Sequence, residues 1–361
     1  MFIFFTACWV NTKDNSQINS EPHASDTSET TDTVDNSDSL DTAESTDPSD
    51  TADSSDTVDS SDTSDTGEAN CTFGDCDLSL DLGDSIAMDF AFISVGEEPL
   101  ERYSLTKDFY LMTTEVTQDM FIAIMGYDSR VDESTTFGDG SNVPAYWVNW
   151  HMAAAFANQL TIHHNDHFES SFQECYDCSG SGPNVICSVL VNPYECTGFV
   201  LPTDAEWEYA ARSGTTMEYW TGEGGELGGD ANLNSCGNAV DDTTVRIRDY
   251  VSDPALTEYA WFCGNQFDPA YFSTAKPVGL KTPNGYGLFD MHGNMKEWTS
   301  DLNGCDFPNA QSDPYCDVGS MRVSRGGYWN HEPSLMSASK RIFEQPDNRS
   351  YVNGFRIGRH P

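Results

Sequence analysis

The 361-residue sequence predicts an irregular, loop-rich α+β domain that follows a disordered acidic segment. Three observations lead to this fold class. Two stretches early in the domain alternate aromatic and β-branched residues, as β-strands do. Three stretches further on repeat apolar residues at helical spacing, and two of them follow residues that cap helices. Beyond Gly214 the chain is rich in glycine, aspartate and asparagine and has few long periodic runs.

The acidic segment is predicted to be a spacer. Residues 21–68 contain 16 acidic residues and no lysine or arginine, and an acid recurs at every third position from Asp26 to Asp65. Such a stretch cannot bury enough apolar surface to order itself, and its like charges repel one another. We therefore predict a disordered Asp/Ser/Thr-rich spacer, with a cation-binding or partner-binding tail as the alternative.

Residues 1–20 are predicted to be a leader that carries a lipobox-like sequence. Phe5, Thr6 and Ala7 precede Cys8, which would become the lipidated residue. Only seven residues, none of them basic, precede Cys8, so the leader is short for a signal peptide unless the true start codon lies upstream. We expect an extracytoplasmic, membrane-anchored lipoprotein at a bacterial cell surface or in the periplasm. The alternative is a chance cysteine in a hydrophobic stub.

The strong negative charge of the chain restricts the classes of molecule that it can bind. The formal net charge is −42, and both nucleic acid and anionic membrane surfaces would be repelled by it. We therefore predict no nucleic-acid partner and membrane contact only through a lipid anchor. We also expect a monomer.

The ten cysteines other than Cys8 indicate an oxidising compartment. Three pairs that are close in sequence are candidates for local bridges: Cys71 with Cys76, Cys236 with Cys263, and Cys305 with Cys316. The remaining four form either two disulfides or a zinc site: Cys175, Cys178, Cys187 and Cys196. Disulfides are favoured, because zinc ribbons usually contain a second close Cys or His pair.

The elements follow one another without a second linker, which predicts a single domain over residues 69–361. Strands are predicted at 86–95 and 103–112, with short terminal strands at 323–329 and 353–358. Helices are predicted at 117–125 and 151–160. A third helix opens with the capping box formed by Thr203 and Glu206.

Motifs spread over residues 86–361 resemble the formylglycine-generating enzymes, also called sulfatase-modifying factors. The most specific are LPTDAEWEYAAR at 201–212, DMHGNMKEW at 290–298 and RGGYW at 325–329. The resemblance implies the irregular α+β fold of that family, which is related to the C-type lectin fold.

The resemblance also implies a structural calcium ion. Its ligands would be Asp290, Gly293, Met295 and Glu297, that is, two carboxylates on a tight turn with two main-chain carbonyls between them. Such hard oxygen ligands suit Ca²⁺. The alternative is that the carboxylates only cap local backbone amides. We expect calcium as the cofactor, and neither copper nor iron.

The catalytic cysteines of the family are replaced in this chain. Active members use two cysteines, five apart, to bind copper and oxidise a substrate cysteine in a Cys-x-Pro-x-Arg motif. The matching positions here are His331 and Met336, while the serine of the oxygen pocket and its tryptophan partner fall at Tyr328 and Lys296. A copper dithiolate requires two thiolates, so formylglycine formation is not expected.

Related iron enzymes carry a His-x3-His-x-Glu motif that His163, His167 and Glu169 match by letter. We assign these residues to a solvated loop at the end of a helix, where no helical domain shields a metal. They remain a weak alternative metal site.

The favoured hypothesis is an accessory module that has kept the scaffold and lost the oxidase chemistry. It would bind an extended peptide or a surface protein in the cleft of the family. The predicted cleft consists of Tyr328, Trp329, Asn330, His331 and Arg341. The alternative is a divergent metal-dependent oxidoreductase, of the formylglycine-generating or sulfur-oxidising type, that uses His331 or the histidine group. A third hypothesis is a passive surface-coat protein in which the acidic spacer matters most.

Overall fold

A computed structural model describes residues 77–221, 256–266, 274–305 and 311–361. The predicted leader with Cys8, the spacer, the Cys71–Cys76 pair and Cys236 lie outside the described residues. The predicted domain boundary at residue 69 lies outside them as well. Within the described ranges, no helix is both long enough and apolar enough to cross a membrane.

The described residues form short strands and four α-helices, joined by long loops. The strands are β1 Leu78–Gly83, β2 Ile86–Ile93, β3 Tyr103–Ser104, β4 Phe109–Met112, β5 Tyr176–Ser179, β6 Ile186–Val189, β7 Lys296–Leu302, β8 Gln311–Ser312, β9 Arg322–Arg325, β10 Ile342–Glu344, β11 Asn353–Gly354 and β12 Gly358–Arg359. The helices are α1 Gln118–Met125, α2 Trp150–Phe168, α3 Asp204–Arg212 and α4 Leu256–Tyr259. This arrangement confirms the predicted irregular α+β class.

The strands form two four-stranded sheets and two small pairs. One sheet has the order β1-β2-β4-β12 and is antiparallel throughout. The other has the order β10-β9-β7-β11, with β11 parallel to β7. The small pairs are β3 with β8 and the hairpin β5–β6. The last strand of the chain therefore returns to the first sheet, which ties the C-terminal end to the start of the domain.

All four predicted strands are divided or shortened in the structure, and the one predicted at 86–95 ends at Ile93. The predicted strand at 103–112 becomes β3 and β4, because Leu105 donates its N–H to Gly96 and Asp108 accepts from Val95 instead of continuing the ladder. The predicted strand at 323–329 ends at Arg325, because the next two glycines have φ of 82° and 71°. The predicted strand at 353–358 becomes β11 and β12, which pair with different sheets.

The three predicted helices are present, and α2 is longer than predicted. Thr117 caps α1, and the predicted capping box of Thr203 and Glu206 opens α3. Helix α2 begins after Asn149, whose side chain accepts from the Met152 N–H at 2.8 Å, and it continues to Phe168. The assignment of residues 163–167 to a loop was wrong. The buried face of the helix continues through Leu160, Thr161 and His164, and this burial keeps the last turns helical.

Buried tryptophans hold the irregular segments together. Trp150, Trp207 and Trp298 are among the largest fully buried side chains. The Trp298 indole donates to Val148 O and the Trp150 indole to Thr299 O, each at 2.9 Å. Each ring therefore buries a large apolar area and also satisfies a loop carbonyl, which suits a fold with few long hydrogen-bond ladders.

The disulfides agree with the sequence prediction. Cys175 bonds to Cys196, Cys178 to Cys187, and Cys305 to Cys316. Cys263 is also disulfide-bonded. The zinc alternative for the four clustered cysteines is therefore wrong, because no thiolate in that group is left to bind a metal.

Candidate functional site

The predicted calcium turn is a strained segment of the core. Asp290, Gly293 and Asn294 have positive φ of 56°, 90° and 53°. A Cβ at Gly293 would lie 1.9 Å from the carbonyl oxygen of Trp261, so only glycine fits there. Left-handed conformations in non-glycine residues cost free energy and are concentrated at functional sites. The turn is therefore held in place by the packing around it.

The carboxylate of Glu297 is already neutralised by protein groups. It accepts from both Nε and Nη2 of Arg356 and from the indole N–H of Trp207, each at 2.7 Å. All three side chains are buried. This predicted calcium ligand is therefore part of a closed ion pair rather than an open coordination position.

Asp290 has an oxygen that no protein group satisfies. Its Oδ2 accepts from the N–H of Gly279 at 2.8 Å, whereas its Oδ1 is buried without a hydrogen-bond partner. Burial raises the pKa of this carboxyl to about 6, and nearby Glu297 acts in the same direction.

Sequence analysis did not identify Glu115, which is a second buried acid in this region. It lies between β4 and α1 and is fully buried, and neither carboxylate oxygen has a hydrogen-bond partner, although its own backbone N–H is near. Burial raises the pKa of Glu115 well above its usual value, and Asp290 and Glu297 raise it further. No local sequence pattern marks this glutamate, because its acidic neighbours come from a distant part of the chain.

Glu115, Asp290 and Glu297 thus share a single buried cation, the guanidinium of Arg356. Unpaired buried carboxylates are costly, and proteins relieve the cost with a bound cation or with protons. In the described part of the chain, no three His, Cys, Asp or Glu side chains converge as a metal-binding group. A calcium ion here would therefore need two carboxylates, Glu115 and Asp290, supplemented by main-chain carbonyls such as those of Gly293 and Met295.

The position that the resemblance assigns to the second catalytic cysteine, Met336, lies in the hydrophobic core. Met336 is fully buried and packs in a cluster with Tyr219, Leu256 and Tyr259. A Cβ at Gly327 would come within 2.9 Å of the Met336 Cγ, so the RGG turn lies directly over this side chain. The side chain at this position contributes to packing and is closed to substrate.

The position that the resemblance assigns to the first catalytic cysteine is occupied by His331, whose imidazole is neutral at physiological pH. His331 is half-buried, and its ring lies 3.7 Å from the ring of Tyr328, centroid to centroid. Burial, followed by the charges of Lys296 and Lys340, lowers the pKa of His331 to about 3. Its Nδ1 is buried without a hydrogen-bond partner.

The two oxygen-pocket positions are filled by a tyrosine and an ion-paired lysine. The Lys296 ammonium pairs with Glu344 and lies 5.9 Å from the centroid of the Tyr328 ring. Lys296 is 7% exposed. The two positions that the resemblance assigns to an oxygen pocket therefore hold a bulky aromatic ring and a charged, ion-paired side chain.

The structure only partly gathers the predicted cleft residues. Tyr328 is half-buried, Trp329 is buried with an unpartnered indole N–H, and Asn330 is exposed. Arg341 is held by other groups, because its Nε lies 2.7 Å from Oδ2 of Asp204 and its Nη1 donates to Cys305 O. Arg341 therefore acts as a structural tie.

A row of aromatic rings that the sequence analysis did not predict continues the cleft. Phe137 stacks on Tyr351 with centroids 4.0 Å apart, and Trp147 meets Tyr351 edge to face at 5.9 Å. Tyr351 lies 6.5 Å from Trp329, which neighbours Tyr328 at 6.1 Å. Phe137, Trp147, Tyr328 and Tyr351 are all half-buried, and we call these four residues the aromatic strip.

Trp147 adds backbone strain to the aromatic strip. Its φ is 60°, which is rare for so large a side chain. Its carbonyl accepts from Arg349 Nε at 3.0 Å and its indole donates to Ser134 O at 2.9 Å. These contacts hold Trp147 in an unfavourable backbone conformation. Residues strained in this way are concentrated at functional sites.

The alternative histidine site lies on the last turns of α2. The rings of His163 and His167 are 4.0 Å apart, and His167 Nδ1 lies 2.8 Å from the carbonyl oxygen of His163. Glu169 ends the helix with φ of 51°. The three side chains do not form a metal-binding group, in keeping with the absence of any such group from the described residues.

Comparisons with known proteins identify the family and the fold of the chain. A sequence model of the sulfatase-modifying factor enzyme 1-like domain matches residues 80–361. The chaperone protein LppX of Paenibacillus barcinonensis is 28% identical over 228 residues, which cover 62% of this chain and 69% of that protein. The formylglycine-generating enzyme of Streptomyces coelicolor is 27% identical over 276 residues, which cover 72% of this chain and 81% of the enzyme. Among solved structures, Treponema denticola variable protein 1 has a TM-score of 0.57 and 26% identity, covering 79% of this chain and 99% of that one.

Proposed function

Because the chain belongs to the sulfatase-modifying factor enzyme 1-like domain family, we propose that it is a binding module that has lost the oxidase chemistry of the family. The observation that carries this proposal is the burial of Met336 beneath Gly327. Oxidation of a substrate thiol in this family needs two thiolates that hold copper next to the substrate. In this chain one of these positions is part of the core packing, and the other holds a neutral imidazole that lies tilted against the ring of Tyr328.

The proposed ligand is an extended peptide or an extended segment of a surface protein. The aromatic strip supports this, because half-buried tyrosine and tryptophan rings provide large, rigid contact areas at protein interfaces. The relative named as a chaperone is in keeping with a binding role.

We further propose that the protein holds a structural calcium ion. The Asp290 and Glu115 carboxylates would be its side-chain ligands, and the carbonyls of Gly293 and Met295 would supplement them. The unsatisfied oxygens of the two acids support this assignment. Calcium would neutralise buried charge and fix the turn that precedes β7.

The proposed location is extracytoplasmic, with a lipid anchor at Cys8. Three disulfides in the described residues support an oxidising compartment. In this arrangement the acidic spacer would hold the domain away from the membrane surface.

Binding is tested by screening the full chain against an immobilised library of extended peptides. Changing Tyr351 to Ala is expected to weaken binding of the selected peptides at least tenfold, because it removes the central ring of the aromatic strip. Phe168 is 57% exposed at the end of α2, so changing Phe168 to Ala serves as the matched control. Equal losses in the two variants would contradict the assignment of the cleft.

Loss of oxidase chemistry is tested on the same preparation with copper, oxygen and a peptide containing Cys-x-Pro-x-Arg. Mass spectrometry should show an unchanged cysteine, and elemental analysis should find calcium without stoichiometric copper or iron. Conversion of the cysteine to an aldehyde would overturn the proposal. So would bound copper or iron that is lost when His331 or His167 is changed to Ala, because it would favour the divergent oxidoreductase.

A further inference from the structure

Two rings of the aromatic strip, Trp147 and Tyr351, come from segments that are far apart in the sequence, and Arg349 joins these segments. Its Nε donates to the carbonyl of Trp147 at 3.0 Å. Its Nη2 donates to the carbonyls of Ser129 and Val131 at 2.8 and 3.1 Å. One guanidinium thus connects three carbonyls of two loops to the segment that carries Tyr351.

One of these loops, residues 131–136, has little packing of its own. All of its residues are exposed, so burial of apolar surface contributes little to holding it in place. Polar contacts connect it to the domain instead. Val131 O accepts from Arg349, and Glu133 Oε1 lies 3.4 Å from Nη1 of the same arginine. Ser134 O accepts from the Trp147 indole at 2.9 Å, so the loop and the ring support each other.

Trp147 depends on these contacts for its conformation. Its φ of 60° is unfavourable for a bulky side chain. Its N–H donates to Ser350 O at 2.9 Å, and its carbonyl accepts from the charged Arg349 side chain. Without the guanidinium, that carbonyl would lose a charge-assisted hydrogen bond, and the backbone could return to a more favourable φ. The indole would then move away from Tyr351, which it meets edge to face.

The Arg349 guanidinium is occupied by the protein itself. Each of its three nitrogen atoms has a partner within the described residues, and its side chain is 17% exposed. A planar guanidinium with its donors engaged in this way offers no open edge to a carboxylate or a carbonyl of a ligand. Any effect of Arg349 on binding would therefore act through the aromatic strip.

We propose that Arg349 is the positioning residue of the peptide cleft. In this role, which rests on the proposed peptide-binding function, it holds Trp147 and residues 131–136 in the arrangement that the aromatic strip needs. An extended peptide then meets a preformed surface and does not have to order it. Without Arg349 only a fraction of the molecules would hold a competent strip, and the apparent affinity would fall by that fraction.

The test measures association and dissociation rates of the full chain by surface plasmon resonance, with a peptide selected from the immobilised library. Arg349→Leu should lower the association rate about tenfold and leave the dissociation rate within about twofold, because the contacts in the complex are unchanged. Arg349→Lys should have an intermediate effect, because an ammonium lacks the fork that reaches all three carbonyls. Tyr351→Ala should instead raise the dissociation rate, because it removes a contact with the peptide.

Arg359→Leu is the matched control. Arg359 is also a half-buried arginine, but its guanidinium lies 4.6 Å from the centroid of the Phe172 ring and takes no part in the aromatic strip. Both rates should stay unchanged in this variant. Hydrogen exchange of Arg349→Lys supplies a second measurement, which does not require the leucine variant to fold. Residues 131–136 should exchange faster than in wild type and α3 should not, whereas general destabilisation would affect both.

The outcomes separate the role of Arg349 from the cleft itself. Wild-type rates in Arg349→Leu, together with weaker binding in Tyr351→Ala, would overturn the positioning role and leave the cleft in place. Faster dissociation of Arg349→Leu at an unchanged association rate would also overturn it, because Arg349 would then be a ligand contact. So would equal exchange of residues 131–136 in wild type and Arg349→Lys. Unchanged rates in both Arg349→Leu and Tyr351→Ala would overturn the cleft as well.

Discussion

Changing Asp290 to Asn should increase stability without calcium and reduce the gain that calcium brings. Burial raises the pKa of Asp290 from 3.8 to about 6. A difference of about 2 pKa units corresponds to roughly 3 kcal/mol of destabilisation once the carboxyl is ionised. The asparagine variant removes that charge and can keep an oxygen for the Gly279 N–H, so in chelator it should be more stable by up to about 3 kcal/mol at pH 7.5.

The pH dependence of the calcium-free protein follows from the same shift. The folded state holds the Asp290 proton more tightly than the unfolded state does. Stability contributed by this carboxyl is therefore fully present below pH 3.8 and is lost as the pH rises to about 6. In the Asp290→Asn variant this fall should be absent. The assay is urea unfolding of the full chain at several pH values, in chelator and in calcium.

Calcium should remove much of this difference in stability. A ligand at one hundred times its dissociation constant stabilises the folded state by about 2.7 kcal/mol. Wild type should gain this amount, and both Asp290→Asn and Glu115→Gln should gain less because each loses a charged ligand. Asp301 is a buried acid whose pKa is raised to about 8 by burial and by Asp204, so Asp301→Asn is the matched control. This variant should alter the pH dependence of the free energy of unfolding and leave the stabilisation by calcium unchanged. A wild type whose unfolding is the same in calcium and in chelator would refute the assignment.

Three further predictions follow from other contacts. Replacing Cys178 and Cys187 with serine should lower the free energy of unfolding by about 3 kcal/mol, because the short closed loop becomes unconstrained in the unfolded state. Urea unfolding measures this loss, and a value below about 1 kcal/mol would contradict the prediction. Changing Arg356 to Leu should cost roughly 3–5 kcal/mol, because Glu297 is left buried without its partner, and changing Glu297 to Leu as well should recover much of the loss. The low pKa of His331 keeps its ring neutral between pH 5 and 8, so peptide binding at the cleft should show no titration from this residue. A binding transition near pH 6.5 that disappears in His331→Ala would contradict that expectation.

Much of the fold could be predicted from local sequence chemistry. Thr117 and Thr203 cap the helices that the sequence places after them, because a capping side chain acts within three residues of itself. The irregular α+β class and the family were predicted correctly, because they depend on several ordered motifs rather than on one element. The disulfides within the cysteine cluster were also correct, since neither a second cysteine pair nor a histidine pair supported zinc.

The errors arose where tertiary contacts overrule local pattern. Residues 103–112 alternate like one strand, yet Leu105 bonds to Gly96 and divides it. Helix α2 continues past Leu160 because His164 packs against Phe172 and Phe199, and these contacts lie outside the helix. A sequence pattern within a short window shows neither the hydrogen bond from Leu105 nor the packing of His164.

Residues of the candidate site could be predicted only where a sequence motif marks them. The motif DMHGNMKEW identifies Asp290 and Glu297 as acids of one turn. It does not show that Arg356 already pairs with the carboxylate of Glu297. Glu115 and the aromatic strip come from separate segments and carry no motif. They are recognised only when a buried charge without a partner, or a row of rings, is seen in three dimensions.

The proposed loss of catalysis and the retention of the family scaffold have a common physical explanation in this chain. The RGG turn that would present the catalytic pair is held by backbone contacts, since Gly326 O accepts from the N–H of Gly293 in the calcium turn at 2.7 Å. Those contacts do not depend on the side chain at position 331 or 336. A methionine at position 336 then adds apolar burial beneath the turn, which stabilises the scaffold. Backbone contacts of this kind allow the scaffold to stay folded when its reactive groups are exchanged for packing and aromatic surface, which is the condition that the proposed binding module must meet.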